Sequence, residues 1–192
     1  GSNTAAENGT SIPVVSGSYT GNGSDDRAIT GLGFQPDIVL VKAATNQNSV
    51  MRTSSMVGDL SKDLSGAVTL AANLVQSLDT NGFTIGTDAR VNSSGVTYYY
   101  TAFKASTGNV VASSYTGNGT SSNTITGLRL QPDLLFIMAA NNQKSMTKSS
   151  AMPTNASYEV DGGGVKTDRI TSFTSDGSTI GSNNNTVNES GT

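Results

Sequence analysis

The chain has 192 residues, 11 basic and 14 acidic side chains for a net charge of −3, and neither histidine nor cysteine. Their absence excludes Ser-His-Asp and Cys-His nucleophilic sites, thiolate metal sites and a disulfide framework. Charged residues are 13% of the chain, about half the ordinary share, while serine, threonine and asparagine together exceed a third, a composition that suits turns and solvated strand faces and disfavours helix interiors.

The basic residues are dispersed rather than clustered, so no nucleic-acid partner is expected. No apolar run reaches the roughly 18 residues that cross a bilayer, so no membrane insertion is expected. No cofactor motif is present. Residues 1–11, opening on Gly1 and Ser2, read as an N-terminal arm or tag remnant.

Beyond the arm, Tyr19-Thr20-Gly21-Asn22-Gly23 returns as Tyr115-Thr116-Gly117-Asn118-Gly119, an offset of 96 residues. Between Tyr19 and Ala44, 14 of 26 positions are identical at that offset, which establishes a tandem duplication. The two repeats are assigned to 12–105 and 106–192. Asn22-Gly23 and Asn81-Gly82, with Asn118-Gly119 and Asp176-Gly177 in the second copy, read as hairpin turns. Gln35-Pro36-Asp37 and Gln131-Pro132-Asp133 precede apolar runs expected as central strands buried on both faces. Residues 59–78 carry apolar side chains near helical spacing, but the matching stretch 157–170 is Gly-rich and charged. A variable loop or edge strand therefore fits both copies better than a helix.

Later in each copy, Phe83-Thr84-Ile85 and the segment from Thr97 to Phe103 alternate with period two, as half-buried strands do. Val91-Asn92 returns as Val187-Asn188, but nothing in the second copy matches Thr97 to Phe103. The expected fold is all-β, two tandem β-sandwich units of jelly-roll or laminin-G-like type, the second lacking its last strand. A sandwich open at that place exposes unpaired backbone, and residues 3–12 of a neighbouring chain are a candidate donor strand, giving a homo-oligomer through strand pairing.

Few constellations carry chemistry, and no catalytic residue is assigned. Asn22, Asp25 and Asp26 offer hard oxygen ligands for Ca²⁺, although the second copy has Asn118, Ser121 and Ser122 there. Tyr98, Tyr99 and Tyr100 are candidates for a binding surface, since aromatic faces stack on sugars; the competing reading is a structural strand with alternate tyrosines inward. Lys144-Ser145 and Lys148-Ser149-Ser150 leave a Ser-Lys dyad formally open, but residues adjacent on a strand face opposite ways. Asp37 and Asp133 read as turn-stabilising residues rather than a glycosidase pair.

The pattern Tyr19-Thr20-Gly21-Asn22-Gly23, then Ile29 through Asp37, then Asn81-Gly82-Phe83-Thr84-Ile85-Gly86 and a Tyr-rich strand ending at Ala102-Phe103-Lys104, resembles a β-rich repeat domain of tailed-bacteriophage structural, tail-fibre-like proteins. This chain departs from it with Leu40 and Tyr100 where members carry tryptophan, and with Arg129, Leu130 and Ser178 in place of Gly33, Phe34 and Phe83. The resemblance implies a non-enzymatic virion structural protein, in a tail fibre or as capsid decoration, on the virion surface and so extracellular. Its implied partners are other virion proteins and a host surface glycan. The alternatives are a carbohydrate-binding adhesin using the tyrosines or the loops 59–78 and 157–170, and, more distantly, a glycan depolymerase.

Overall fold

The computed structural model describes residues 13–181 and 186–192; the arm and the candidate donor strand 3–12 lie outside the described residues. The chain is all-β, with one short helical turn among the described residues. The first repeat contains β1 (Val14–Thr20), β2 (Arg27–Thr30), β3 (Ile38–Ala43), β4 (Val50–Thr53), β5 (Lys62–Asp63), β6 (Val75–Asp79), β7 (Gly82–Ile85), the turn α1 (Ala89–Asn92) and β8 (Thr97–Phe103). These form a five-stranded sheet in the order β1-β8-β3-β4-β5 and a three-stranded sheet β2-β7-β6. Both contribute to one core, in which Val39, Val41, Val50, Tyr98 and Ala102 from the larger sheet meet Ile29, Val75, Phe83 and Ile85 from the smaller. Alternation decides which residues enter it, because successive side chains of a strand point to opposite faces.

The second repeat contains β9 (Ser122–Ile125), β10 (Leu134–Ile137), β11 (Met146–Ser149), β12 (Ser157–Glu159), β13 (Val165–Lys166), β14 (Ile170–Thr174) and β15 (Gly177–Gly181). Their sheets, β10-β11-β12-β13 and β14-β15-β9, reproduce the first repeat's registers. Ile38 pairs with Thr53 and Leu134 with Ser149; Met51 pairs with Lys62 and Thr147 with Tyr158; Leu78 pairs with Phe83 and Phe173 with Ser178. β1 and β8 have no counterpart strands here. Among the described residues β1 is held only by β8, and the matching segment 110–116 joins no sheet. The second core is correspondingly small, with Ile137, Met146, Ile170, Ile180 and Val187 buried.

Residues 59–78 contain no helix, as expected: β5 is the edge strand of its sheet and β6 belongs to the other, joined by loop. Two other sequence expectations change. Asn22-Gly23 is not a hairpin turn, because β1 and β2 belong to different sheets; Gly23 instead uses its positive φ of 74° to cross between them. The apolar runs after Pro36 and Pro132 are not buried on both faces. β3 is central in its sheet but only Val39, Val41 and Ala43 are buried, and β10 is an edge strand with Leu134 and Phe136 exposed.

The Asn81-Gly82 and Asp176-Gly177 turns do close hairpins, for a reason the dipeptide alone does not give. A Cβ on Gly82 would lie 1.9 Å from Ile29 O, and one on Gly177 would lie 2.1 Å from Ile125 O. Glycine is required because a neighbouring strand's backbone passes there. The preceding residue reaches across as well: Asn81 Oδ1 accepts from Gly33 N (2.7 Å), and Asp176 Oδ1 accepts from Arg129 N (2.6 Å).

Candidate functional site

The tyrosine run on β8 is the densest aromatic segment, and the sheet divides it. Tyr98 is fully buried; its hydroxyl donates to Ala89 O and accepts from Ser93 N, both at 2.7 Å. Its ring stacks on Tyr19 at 5.2 Å between centroids and an interplanar angle of 14°. Tyr100 also points inward, edge-on to Phe83 at 5.2 Å and over Gly17, where a Cβ would lie 2.5 Å from the Tyr100 hydroxyl. Tyr98 and Tyr100 are therefore core residues rather than parts of a binding face, because period two turns them to the same inner side. Tyr99 alone faces solvent, 57% exposed.

Around Tyr99 the outer face of the five-stranded sheet forms an open platform. Its cross-strand neighbours are Ser18 on β1 and Lys42 on β3. One step along, Ser16 Oγ and Thr101 Oγ1 are 3.0 Å apart. The Lys42 ammonium is turned away to Ala43 O, Thr45 O and Gln47 O, each at 2.8 Å. The platform thus presents an aromatic ring, hydroxyls and no free carboxylate among these residues, which suits stacking and hydrogen bonding rather than acid–base chemistry.

At the calcium candidate, Asn22 Oδ1 accepts from Ser24 N (3.0 Å), and Asp25 Oδ1 accepts from Asp26 N (3.0 Å) and Gln76 Nε2 (3.1 Å). Asp26 occupies the left-handed region at φ 51°, as aspartate in a tight turn does. Among the described residues, no group of three or more His, Cys, Asp or Glu is placed to hold a metal, and no helix is long and apolar enough to cross a membrane.

The remaining charged groups largely hold loops. Arg52 and Lys148 stand 96 residues apart in β4 and β11. The Arg52 guanidinium donates to Gly58 O (2.7 Å) and also to Leu60 O; the Lys148 ammonium donates to Pro153 O (2.8 Å) and Ala156 O (2.7 Å). Lys148 is thus occupied with loop carbonyls, and no bond joins it to Ser149. Asp37 accepts from Ala105 N (2.7 Å) and pairs with Lys104 (3.1 Å), contacts that outweigh burial and hold its carboxyl below the usual range.

Lys62 went unnoticed in the sequence and is the most consequential cation. It is fully buried, and its ammonium donates to Val68 O in its own repeat and to Ala139 O (2.8 Å), Asn141 O (3.2 Å) and Gln143 O (2.9 Å) in the other. Burial pushes its pKa down to about 8. Leu70 N to Ala140 O (3.0 Å) and Gly66 N to Asp161 Oδ2 (3.0 Å) join the same contact. The divergent stretch 59–78 therefore supplies the joint between the repeats. Its only sequence signal is a lysine paired with strand β4 where the second copy has Tyr158.

Among known families, the model of a domain of unknown function, DUF7483, matches residues 14–114, more than half of the chain. That span takes in every strand of the first repeat, β8 included. No curated protein matches the chain, and no solved structure does.

Proposed function

We propose, from the premise that the chain belongs to the DUF7483 family, that it is a non-enzymatic structural module of a tailed-phage particle. In this reading it is displayed on the virion surface in a tail fibre or as capsid decoration, beside other virion proteins. One observation carries the reading: the fold unit is duplicated down to its buried hydrogen bonds, while its charged side chains are largely spent on loops and on the joint between copies. Tyr19 Oη donates to Val91 O (2.8 Å) and Tyr115 Oη to Val187 O (2.6 Å); Arg52 and Lys148 hold loops at the same place in both repeats. Repetition of this kind supplies length and multivalency rather than turnover. The test is electron microscopy and adsorption of particles whose gene for this chain is deleted. Loss of a fibre or surface density is the expected result; unchanged architecture and adsorption would overturn it.

A second reading, sugar binding by the outer sheet face, is favoured by the exposure of Tyr99 beside Ser18, Ser16 and Thr101. A multivalent display of the chain on a glycan array decides it: retained glycans whose binding is lost in Tyr99→Ala support it, and an empty array removes it.

A further inference from the structure

The turns after β3 and β10 each aim three carbonyl oxygens at one lysine ammonium, and the lysine comes from a different place in each repeat. In the first, Lys42 Nζ donates to Ala43 O, Thr45 O and Gln47 O, each at 2.8 Å. At the 96-residue offset the acceptors become Ala139, Asn141 and Gln143, and Lys62 Nζ donates to their carbonyls at 2.8, 3.2 and 2.9 Å. The equivalence is structural as well, since Val41 pairs with Val50 across the first turn and Ile137 with Met146 across the second. The place of Lys42 is held in the second repeat by Met138, whose thioether has no N–H to donate. Lys62 supplies that donor from β5 of the first repeat, beside the antiparallel bridge of Val68 to Gln143. Where the second repeat would present a lysine of its own stands Tyr158, paired with Thr147 as Lys62 is with Met51.

We propose that this turn is a binding site for a primary ammonium, and that the residues at positions 42/138 and 62/158 form a code that joins the repeats in one direction. Lysine at the first position closes the turn from within and bars a neighbour. Methionine leaves the turn open to the lysine of the repeat before it. The first repeat, with Lys42 and Lys62, therefore gives an ammonium and takes none; the second, with Met138 and Tyr158, takes one and gives none. The exclusion is physical. Three converging carbonyls match the three N–H donors of one ammonium, and a second ammonium in the same place meets a like charge at close range. Carbonyls buried by the joint with no donor at all would lose water without replacement.

The experiment is a double-variant cycle in the full chain, with Lys62→Met, Met138→Lys and both together, read by amide hydrogen exchange. Gln143 N, which donates to Asn141 O (2.8 Å), reports the turn, and Leu70 N, which donates to Ala140 O (3.0 Å), reports the joint. Lys62→Met is expected to lower protection at both about tenfold. Adding Met138→Lys to it is expected to restore Gln143 and not Leu70. In the native background Met138→Lys sets two ammoniums against one cage and is expected to lower protection at both. That reversal of sign at Gln143 separates competition for a shared cage from two independent structural roles, whose effects add. A second measurement tests the ligand class with n-propylammonium chloride, which carries the carbons and the ammonium that Lys62→Ala removes. It is expected to raise the thermal midpoint of Lys62→Ala above that in sodium chloride of equal ionic strength, and to leave the native chain unchanged. The proposal is overturned by Met138→Lys acting with the same sign at Gln143 in both backgrounds, by a double variant that does not fold, or by a propylammonium response no larger in Lys62→Ala than in the native chain.

Discussion

Asn92 and Asn188, both fully buried, hold the same junction in the two repeats. Asn92 Oδ1 accepts from Asn22 N (2.9 Å), and Asn188 Oδ1 accepts from Asn118 N (3.0 Å). Asn92 Nδ2 donates to Ser24 O (2.7 Å) and Gly86 O (3.0 Å); Asn188 Nδ2 donates to Thr120 O (3.0 Å) and Asn118 Oδ1 (3.0 Å). One amide side chain closes the β1–β2 crossing from inside, which an apolar residue cannot do. Asn92→Ala strands these backbone groups, and a loss of about 3 kcal/mol is expected in urea unfolding, from three bonds at about 1 kcal/mol each.

Lys62→Met removes the cation that gathers Ala139 O, Asn141 O and Gln143 O. Leaving these part-buried carbonyls unpaired is expected to cost roughly 2–3 kcal/mol. The effect should concentrate at the joint: in hydrogen exchange, the Leu70 amide, which donates to Ala140 O, should lose protection more than amides of β3 or β8. Uniform loss across the first repeat would contradict the assignment of Lys62 to the joint.

Arg129 stands at φ 57° where the first repeat has Gly33 at φ 80°. A side chain is strained in that region, and glycine is not. Arg129→Gly is expected to raise stability by about 1 kcal/mol, since the Arg129 N to Asp176 Oδ1 bond uses only backbone on the arginine side. Thermal unfolding of the two proteins decides it.

The tyrosine run gives a contrast between adjacent residues. Tyr98→Phe removes the hydroxyl that serves Ala89 O and Ser93 N and is expected to cost roughly 1–3 kcal/mol. Tyr99→Phe, on the exposed face, should stay within about 0.5 kcal/mol. Equal effects in chemical unfolding would contradict the inward and outward assignment.

Acid should act through Asp88. Its Oδ1 caps α1 by accepting from Arg90 N (2.8 Å), and its carboxylate pairs with the Arg90 guanidinium (2.7 Å), which also reaches Asp63 (2.9 Å). The hydrogen bond from the Arg90 side chain, helped by its charge and backbone N–H and opposed by burial, holds the Asp88 carboxyl below its ordinary value of 3.8. A carboxyl depressed in the folded state contributes stability above the unfolded pKa and loses it as pH falls through the folded one. Stability should therefore decline below about pH 4, and Asp88→Asn should start about 1 kcal/mol lower at neutral pH and decline less there.

The strands and their entries were legible because their signals are local. Pro36-Asp37 and Pro132-Asp133 announce β3 and β10, and Thr97 to Phe103 announces β8 by alternation alone. Gly17, Gly82 and Gly177 were legible as glycines but not as necessities, since what excludes a Cβ is the Tyr100 ring, Ile29 O or Ile125 O, each supplied by a distant strand. Lys62 was missed for the same reason: its acceptors in the other repeat lie 77 to 81 residues away.

By itself, then, the sequence determined the duplication, its 96-residue offset, the all-β class, the hairpin turns at Asn81-Gly82 and Asp176-Gly177 and the exclusion of histidine and cysteine chemistry. Each of these depends on composition, self-similarity or the conformational needs of a few adjacent residues. Only the tertiary structure decided that Tyr98 and Tyr100 are core while Tyr99 is surface, that the divergent stretch 59–78 joins the repeats, and that β10 is an edge where β3 is central. Alternation says that a strand has two faces, but which face is inner and which edge is paired depends on partners far along the chain.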